Sequence, residues 1–189
     1  MNIKLPARHR DESRRPRRAA RLSAVLAVLG VPALLGVTLA GTASASTAFT
    51  AHITPENTFY LLLDVSGGST YPGAPVLDWY SNGGANQNWL FVQEGTGTSY
   101  VIYEIVNVNS NMCLTTDGVA GDQVYQEPCA GSPNQLWDTN ITSSSTNYTT
   151  IRSDYSYLYL DVNGDSPWAG TSIDTWYYTG GANQFFGRI

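Results

Sequence analysis

Everything after position 45 alternates between short apolar runs and polar breaks. Phe59 to Val65, Tyr100 to Val108 and Tyr157 to Val162 are rich in Leu, Val, Ile and Tyr and have strand length. Gly67-Gly68, Gly83-Gly84, Asn163-Gly164-Asp165 and Gly180-Gly181 interrupt them, as turn residues do. No stretch in this part keeps the 3.6-residue period of an amphipathic helix. The pattern predicts an all-β domain of many short strands.

The pattern also repeats. Asn86-Gln87-Asn88-Trp89, Asn134-Gln135-Leu136-Trp137 and Asn183-Gln184-Phe185-Phe186 are three versions of one ending, their glutamines 48 and 49 residues apart. The first and third versions align without a gap at an offset of 97: Leu63-Asp64-Val65 on Leu160-Asp161-Val162, and Trp79-Tyr80 on Trp176-Tyr177. The middle version is looser, with Cys113-Leu114-Thr115 and Glu127-Pro128-Cys129 ahead of Asn134-Gln135. A period of this length means one folding unit written three times. A unit of some four strands cannot bury its own apolar face, so the three must share a core. Propellers use at least about four blades, which leaves a three-lobed closed barrel, the β-trefoil. The lobes are expected at about 49–95, 99–142 and 148–189, with a Ser/Thr/Asn-rich joint from Thr142 to Thr150.

The first 45 residues read differently. Eight basic residues, from Lys4 to Arg21, face only Asp11 and Glu12; Leu22 to Ala40 is uncharged and mostly apolar; Ala43-Ser44-Ala45 follows. A basic stretch, an apolar stretch and an A-x-A site spell a secretory signal peptide over 1–45, removed on export. The apolar run is about long enough to span a bilayer, but Pro32 within it and the cleavage signature after it favour export over an anchor. The domain 46–189 is then secreted and extracellular, has no membrane-inserting segment, and is of a size to bury one core.

Charge narrows the partners. Beyond the leader only Arg152 and Arg188 are basic, with no lysine, against 13 carboxylates, a net charge of −11. Phosphate backbones require a cationic surface, so nucleic acid and anionic lipid are not expected as partners. A surface rich in Tyr, Trp, Asn, Ser, Thr and Gly suits a neutral polar ligand such as a glycan. Cys113 and Cys129 are the only cysteines. In an exported protein such a pair reads as a disulfide, closing a loop worth about 3 kcal/mol by chain entropy.

Gln-x-Trp three times over, with Leu-Asp-Val and Gly-Gly-Ala-Asn upstream, resembles the ricin B-type lectins and carbohydrate-binding modules over Phe49 to Ile189. The resemblance implies a β-trefoil in which Trp89, Trp137 and Phe186 are core and each lobe can carry one shallow sugar site. It further implies that an aspartate opening the lobe accepts hydrogen bonds from adjacent sugar hydroxyls, strengthened by its charge. An aromatic ring packs on the C–H face of the sugar, and the asparagine adds a donor and an acceptor. Carried over residue by residue, lobe one offers Asp64, Trp79, Tyr80, Asn86 and Gln87. Lobe three offers Asp161, Asp174, Trp176, Tyr177, Asn183 and Gln184, with Asp174 as a polar partner two residues before the ring, where lobe one has Leu77. Neighbours on a strand face opposite ways, so either ring of each Trp-Tyr pair could face the ligand. Lobe two has Thr115 for the aspartate and Glu127 for the ring, and is expected to be silent.

Other chemistry finds little support. His52 is the only histidine past the leader and lies in the first strand region, which gives a Ser/His/Asp site no support. Asp161 to Asp165 mimics the start of an EF-hand loop, but Ser166 and Ser172 stand at its sixth and twelfth positions. No metal and no cofactor is expected. The expectation is a monomeric, non-catalytic lectin for galactose-, arabinose- or xylan-like glycans. The rival reading is a trefoil that binds or inhibits a protein, such as a protease, through loops near Tyr71-Pro72 or Trp168. A small glycosidase is a third.

Overall fold

In the computed structural model, residues 47–58 and 60–189 are described; the expected signal peptide lies outside them. Among the described residues thirteen strands make three lobes. Lobe one holds β1 (Ala48–Ala51), β2 (Ile53–Pro55), β3 (Leu61–Val65), β4 (Val76–Tyr80) and β5 (Trp89–Thr96). Lobe two holds β6 (Val101–Asn107), β7 (Met112–Thr115), β8 (Tyr125–Pro128) and β9 (Leu136–Thr139). Lobe three holds β10 (Ile151–Ser153), β11 (Tyr159–Val162), β12 (Ile173–Trp176) and β13 (Phe186–Arg188). β1 and β2 form one path interrupted at His52, so each lobe has four strand positions. Among the described residues no helix is long and apolar enough to cross a membrane.

The outer strands of the lobes close a six-staved barrel. β1 pairs with β5, β5 with β6, β6 with β9 and β9 with β10, all antiparallel. β13 pairs with β2, and Thr149 exchanges two backbone hydrogen bonds with Phe186 ahead of β10, which closes the ring. Closure removes exposed sheet edges. The inner strands form the hairpins β3–β4, β7–β8 and β11–β12. These hairpins are tied to one another by backbone hydrogen bonds, among them Val76 to Val124 and Val124 to Ile173.

The core is threefold in the same sense. Val76, Val124 and Ile173 are fully buried at equivalent hairpin positions, and Trp89, Trp137 and Phe186 at equivalent barrel positions. Each indole also donates its N–H, Trp89 to the Leu63 carbonyl at 3.0 Å and Trp137 to the Leu114 carbonyl at 2.9 Å. Phe186 keeps the apolar volume and gives up that bond. Cys113 and Cys129 are joined, linking β7 to the residue after β8.

Candidate functional site

The Asn-Gln pairs stand on single 3-10 turns, Ala85–Gln87, Pro133–Gln135 and Ala182–Gln184, each leading into the last strand of its lobe. A glycine or serine in extended conformation precedes each turn. The turn aims the glutamine amide back at its own hairpin. In lobe one, Gln87 Nε2 donates to Asp64 Oδ2 at 2.8 Å and to the Tyr80 carbonyl at 2.9 Å, while its Oε1 accepts from the Asn82 N–H. In lobe three, Gln184 Nε2 donates to Asp161 Oδ2 and to the Tyr177 carbonyl, both at 2.8 Å, and its Oε1 accepts from the Thr179 N–H. The glutamine therefore clamps the aspartate to the far end of the hairpin. Gln87 and Gln184 are buried and do not line the cavities in front of them.

Those cavities have volumes of about 530 Å³ in lobe one and about 540 Å³ in lobe three. Asp64, Trp79, Asn86 and Leu77 line the first; Asp161, Asp174, Trp176 and Asn183 line the second. Of each aromatic pair it is the tryptophan that faces the cavity, half-exposed at 43% for Trp79 and 42% for Trp176. Tyr80 and Tyr177 point elsewhere; Tyr80 stacks on Tyr60, ring centroids 6.5 Å apart. Asn86 Nδ2 donates to the Val65 carbonyl, and Asn183 Nδ2 to Asp161 Oδ1 and the Val162 carbonyl. Tyr71 and Trp168, exposed on equivalent loops, line neither cavity.

The carboxylates are unusual for exposed-cleft acids because they are nearly buried. Burial pushes the pKa of Asp64 up, partly offset by the Gln87, Asn86 and Asn82 amides. Asp161 is pushed up to about 6, chiefly by burial, with the neighbouring charges of Asp174 and Asp165 adding to the rise and the Gln184 and Asn183 amides opposing it. Asp174, opposite Asp161 across the β11–β12 ladder, is raised by burial, and Asn163 Nδ2 donates to its Oδ2 at 2.6 Å.

Lobe two keeps the frame without the chemistry. Gln135 Nε2 donates to Thr115 Oγ1 at 3.2 Å and to the Pro128 carbonyl at 3.0 Å, matching the other two clamps bond for bond. A hydroxyl stands where the carboxylate would, and Glu127 where the ring would. Asp117, two residues past Thr115, accepts from the Val119 N–H in its own turn.

Two glycines were not read as site residues from sequence. Each cavity tryptophan rests against a glycine of another lobe, Trp79 against lobe three and Trp176 against lobe two. A Cβ on Gly170 would lie 3.1 Å from Trp79 Cζ3, and a Cβ on Gly121 3.0 Å from Trp176 Cζ3. The backbone ties these loops in place: Gly170 N–H donates to the Asp78 carbonyl at 2.7 Å, Gly121 N–H to the Thr175 carbonyl at 2.8 Å, and Gly73 N–H to the Gln126 carbonyl at 2.8 Å. Gly73, Gly121 and Gly170 follow the same 48- and 49-residue steps as the glutamines, so the signal was present. Asp78, fully buried behind Trp79, accepts from the Thr171 N–H, and burial pushes its pKa up to about 6.

Closed sixfold staves, three hairpins and a clamped aspartate beside an open indole define a β-trefoil of the lectin type. A family model described as ricin-type beta-trefoil lectin domain-like matches residues 46–103 and 99–176, and the chain belongs to that family. Membership points to carbohydrate binding as the general role. A designed threefold-symmetric protein, ThreeFoil, is similar at 27% identity and a TM-score of 0.65, over 74% of this chain and 97% of its own. An exo-beta-1,3-galactanase from Clostridium thermocellum is similar at 29% identity and a TM-score of 0.66, over 74% of this chain but only 30% of the galactanase. A ricin B-like lectin from Macrolepiota procera, solved with lactose, shares the fold at 20% identity and a TM-score of 0.58, over 74% of this chain and 94% of its own.

Proposed function

We propose that the chain is an exported, monomeric, non-catalytic lectin that binds neutral galactose-, arabinose- or xylan-like glycans in lobes one and three. The observation that carries this reading is the coincidence of carboxylate, open indole and cavity in those two lobes, with both the carboxylate and the ring missing from lobe two. In each active lobe the aspartate accepts from vicinal hydroxyls, the indole packs on the sugar's C–H face, and the asparagine fixes orientation. One such site is weak, since a millimolar Kd corresponds to about −4 kcal/mol. Two sites on a rigid body gain avidity on a polymer when both reach it together.

A glycan array and affinity gels of the mature protein test the reading; failure to bind any galactoside, arabinoside or xylan ends it. Reducing-sugar release from such polymers would overturn the non-catalytic part, and an N-terminus other than Ser46 on protein recovered from culture medium would overturn the cleavage site. The exposure of Tyr71 (77%) and Trp168 (74%) on loops outside both cavities favours one rival, docking on a protein. The double variant D64A/D161A separates the two: it abolishes glycan binding and leaves loop-mediated binding intact.

A further inference from the structure

Lobes one and three are alike in frame and unlike in charge. At the offset of 97, Asp161 matches Asp64, but Asp174 stands for Leu77, Asp165 for Gly68 and Asn163 for Ser66. One carboxylate therefore lines the lobe-one cavity, and three line that of lobe three. No cationic side chain lines either. The two arginines among the described residues are committed elsewhere, Arg152 in an ion pair with Asp138 and Arg188 on the Ser145 carbonyl.

Asp174 carries a second, independent mark. It is 3% exposed, and its Oδ1 has no hydrogen-bond partner although its Oδ2 is held by Asn163. A buried carboxylate with one oxygen unsatisfied is unfavourable unless a countercharge compensates it. Leu77 shows that the trefoil does not need a carboxylate at this position.

We propose that lobe three is selective for a glycan bearing a free, protonated amine, an amino sugar without its N-acetyl group, whose ammonium sits among Asp161, Asp165 and Asp174. The inference rests on the lectin reading and refines it for one lobe. An ammonium is a compact charge with three donors, and charge-assisted bonds to carboxylates are about twice as strong as neutral ones. Lobe one, with a single carboxylate and an apolar wall at Leu77, holds neutral sugars without this preference. The upward push that Asp174 and Asp165 exert on Asp161 is the same repulsion that a bound cation relieves.

Titration of the mature protein at pH 7 in EDTA-containing buffer, followed by the indole N–H resonances of Trp79 and Trp176, reads each lobe separately. The ligands are a methyl galactoside, its 2-amino-2-deoxy analogue and the N-acetyl form of that analogue. At Trp176 the amine is expected to bind about tenfold tighter than either neutral ligand, with the gap narrowing in high salt; at Trp79 all three bind alike. D174L and D165G, which install the residues of lobe one, are expected to bring the Trp176 preference to near unity. D165G replaces an exposed residue at φ 54 with glycine, so it folds even if D174L does not. Equal binding of the three ligands at Trp176, with galactoside bound at both lobes, overturns the amine selectivity alone. Failure of all three ligands at both lobes overturns this inference, and failure of arabinosides and xylan as well overturns the lectin reading. A preference unchanged in both variants, or one that appears only with added calcium, also overturns this inference.

Discussion

Replacing Gly170 by alanine should damage the proposed sugar site of a lobe to which Gly170 does not belong. Gly170 lies on the β11–β12 loop of lobe three at φ 91, with its Cβ position 3.1 Å from Trp79 Cζ3 and 3.7 Å from Cε3. Two effects follow. An L residue at that φ is strained by about 1–3 kcal/mol, and in a domain of this size each kcal/mol lowers Tm by about 2–4 °C. Ordinary carbon contacts lie at about 3.5–4.0 Å, so the indole must also retreat by roughly half an ångström. Stacking on such a ring is worth about 0.5–1.5 kcal/mol, so its loss lowers lobe-one affinity by up to about 2- to 10-fold. Gly121→Ala does the same to Trp176 and lobe three, its Cβ position lying 3.0 Å from Trp176 Cζ3 at φ 90. Gly73→Ala is the internal control: φ is 77, but no atom lies within 4 Å, because lobe two has no ring to support. It should show the loss of Tm without loss of affinity at either lobe. Thermal unfolding with per-lobe titration on the Trp79 and Trp176 indole signals measures both quantities. If Gly170→Ala weakens lobe three instead of lobe one, or if Gly73→Ala reproduces its effect on affinity, the cross-lobe account is wrong.

Acidity should act on binding and stability in opposite directions. Asp161 is pushed up to about 6, so glycan affinity at lobe three should fall as pH drops through that value, read again at Trp176. For stability, burial pushes Asp78 and Asp161 up to about 6 in the fold, from an ordinary value of 3.8. Between those values the native state holds more protons than the unfolded chain, so stability is greatest below the unfolded value and declines as pH rises through 6. The ceiling is about 3 kcal/mol per group before solvent screening, and urea midpoints that rise from pH 5 to pH 7 would contradict it. Gln135→Ala and Gln184→Ala each remove a buried clamp and should destabilise by about 1–3 kcal/mol; only Gln184→Ala should also weaken glycan binding, since only it frees a ligand-facing aspartate. Reduction of Cys113–Cys129 releases a loop with a sequence separation of 16 and should lower stability by about 3 kcal/mol, visible as a lower urea midpoint with dithiothreitol.

The fold was legible because its determinants are periodic. Barrel closure needs a large apolar residue at the same barrel station in each lobe, and Trp89, Trp137 and Phe186 supply it at steps of 48 and 49 residues. The direction of Trp79 and Tyr80 was not legible, because alternation on β4 names two faces without saying which one meets the cavity. That is decided by the β3–β4 register, which sets Trp79 opposite Leu62, and by a glycine contributed from another lobe. The role of the glutamines was open for a related reason. One amide can serve a ligand or a neighbour, and only the geometry shows Gln87 and Gln184 spending both donor hydrogens inside the protein. Lobe two supports that assignment. Gln135 makes the same pair of bonds to Thr115 and Pro128 in a lobe that has lost carboxylate and ring alike. A residue kept for sugar contact would have no reason to retain that geometry there, whereas one that joins hairpin to barrel does. The clamp therefore belongs to the fold, and the aspartate it holds is what sets the two candidate sites apart from lobe two.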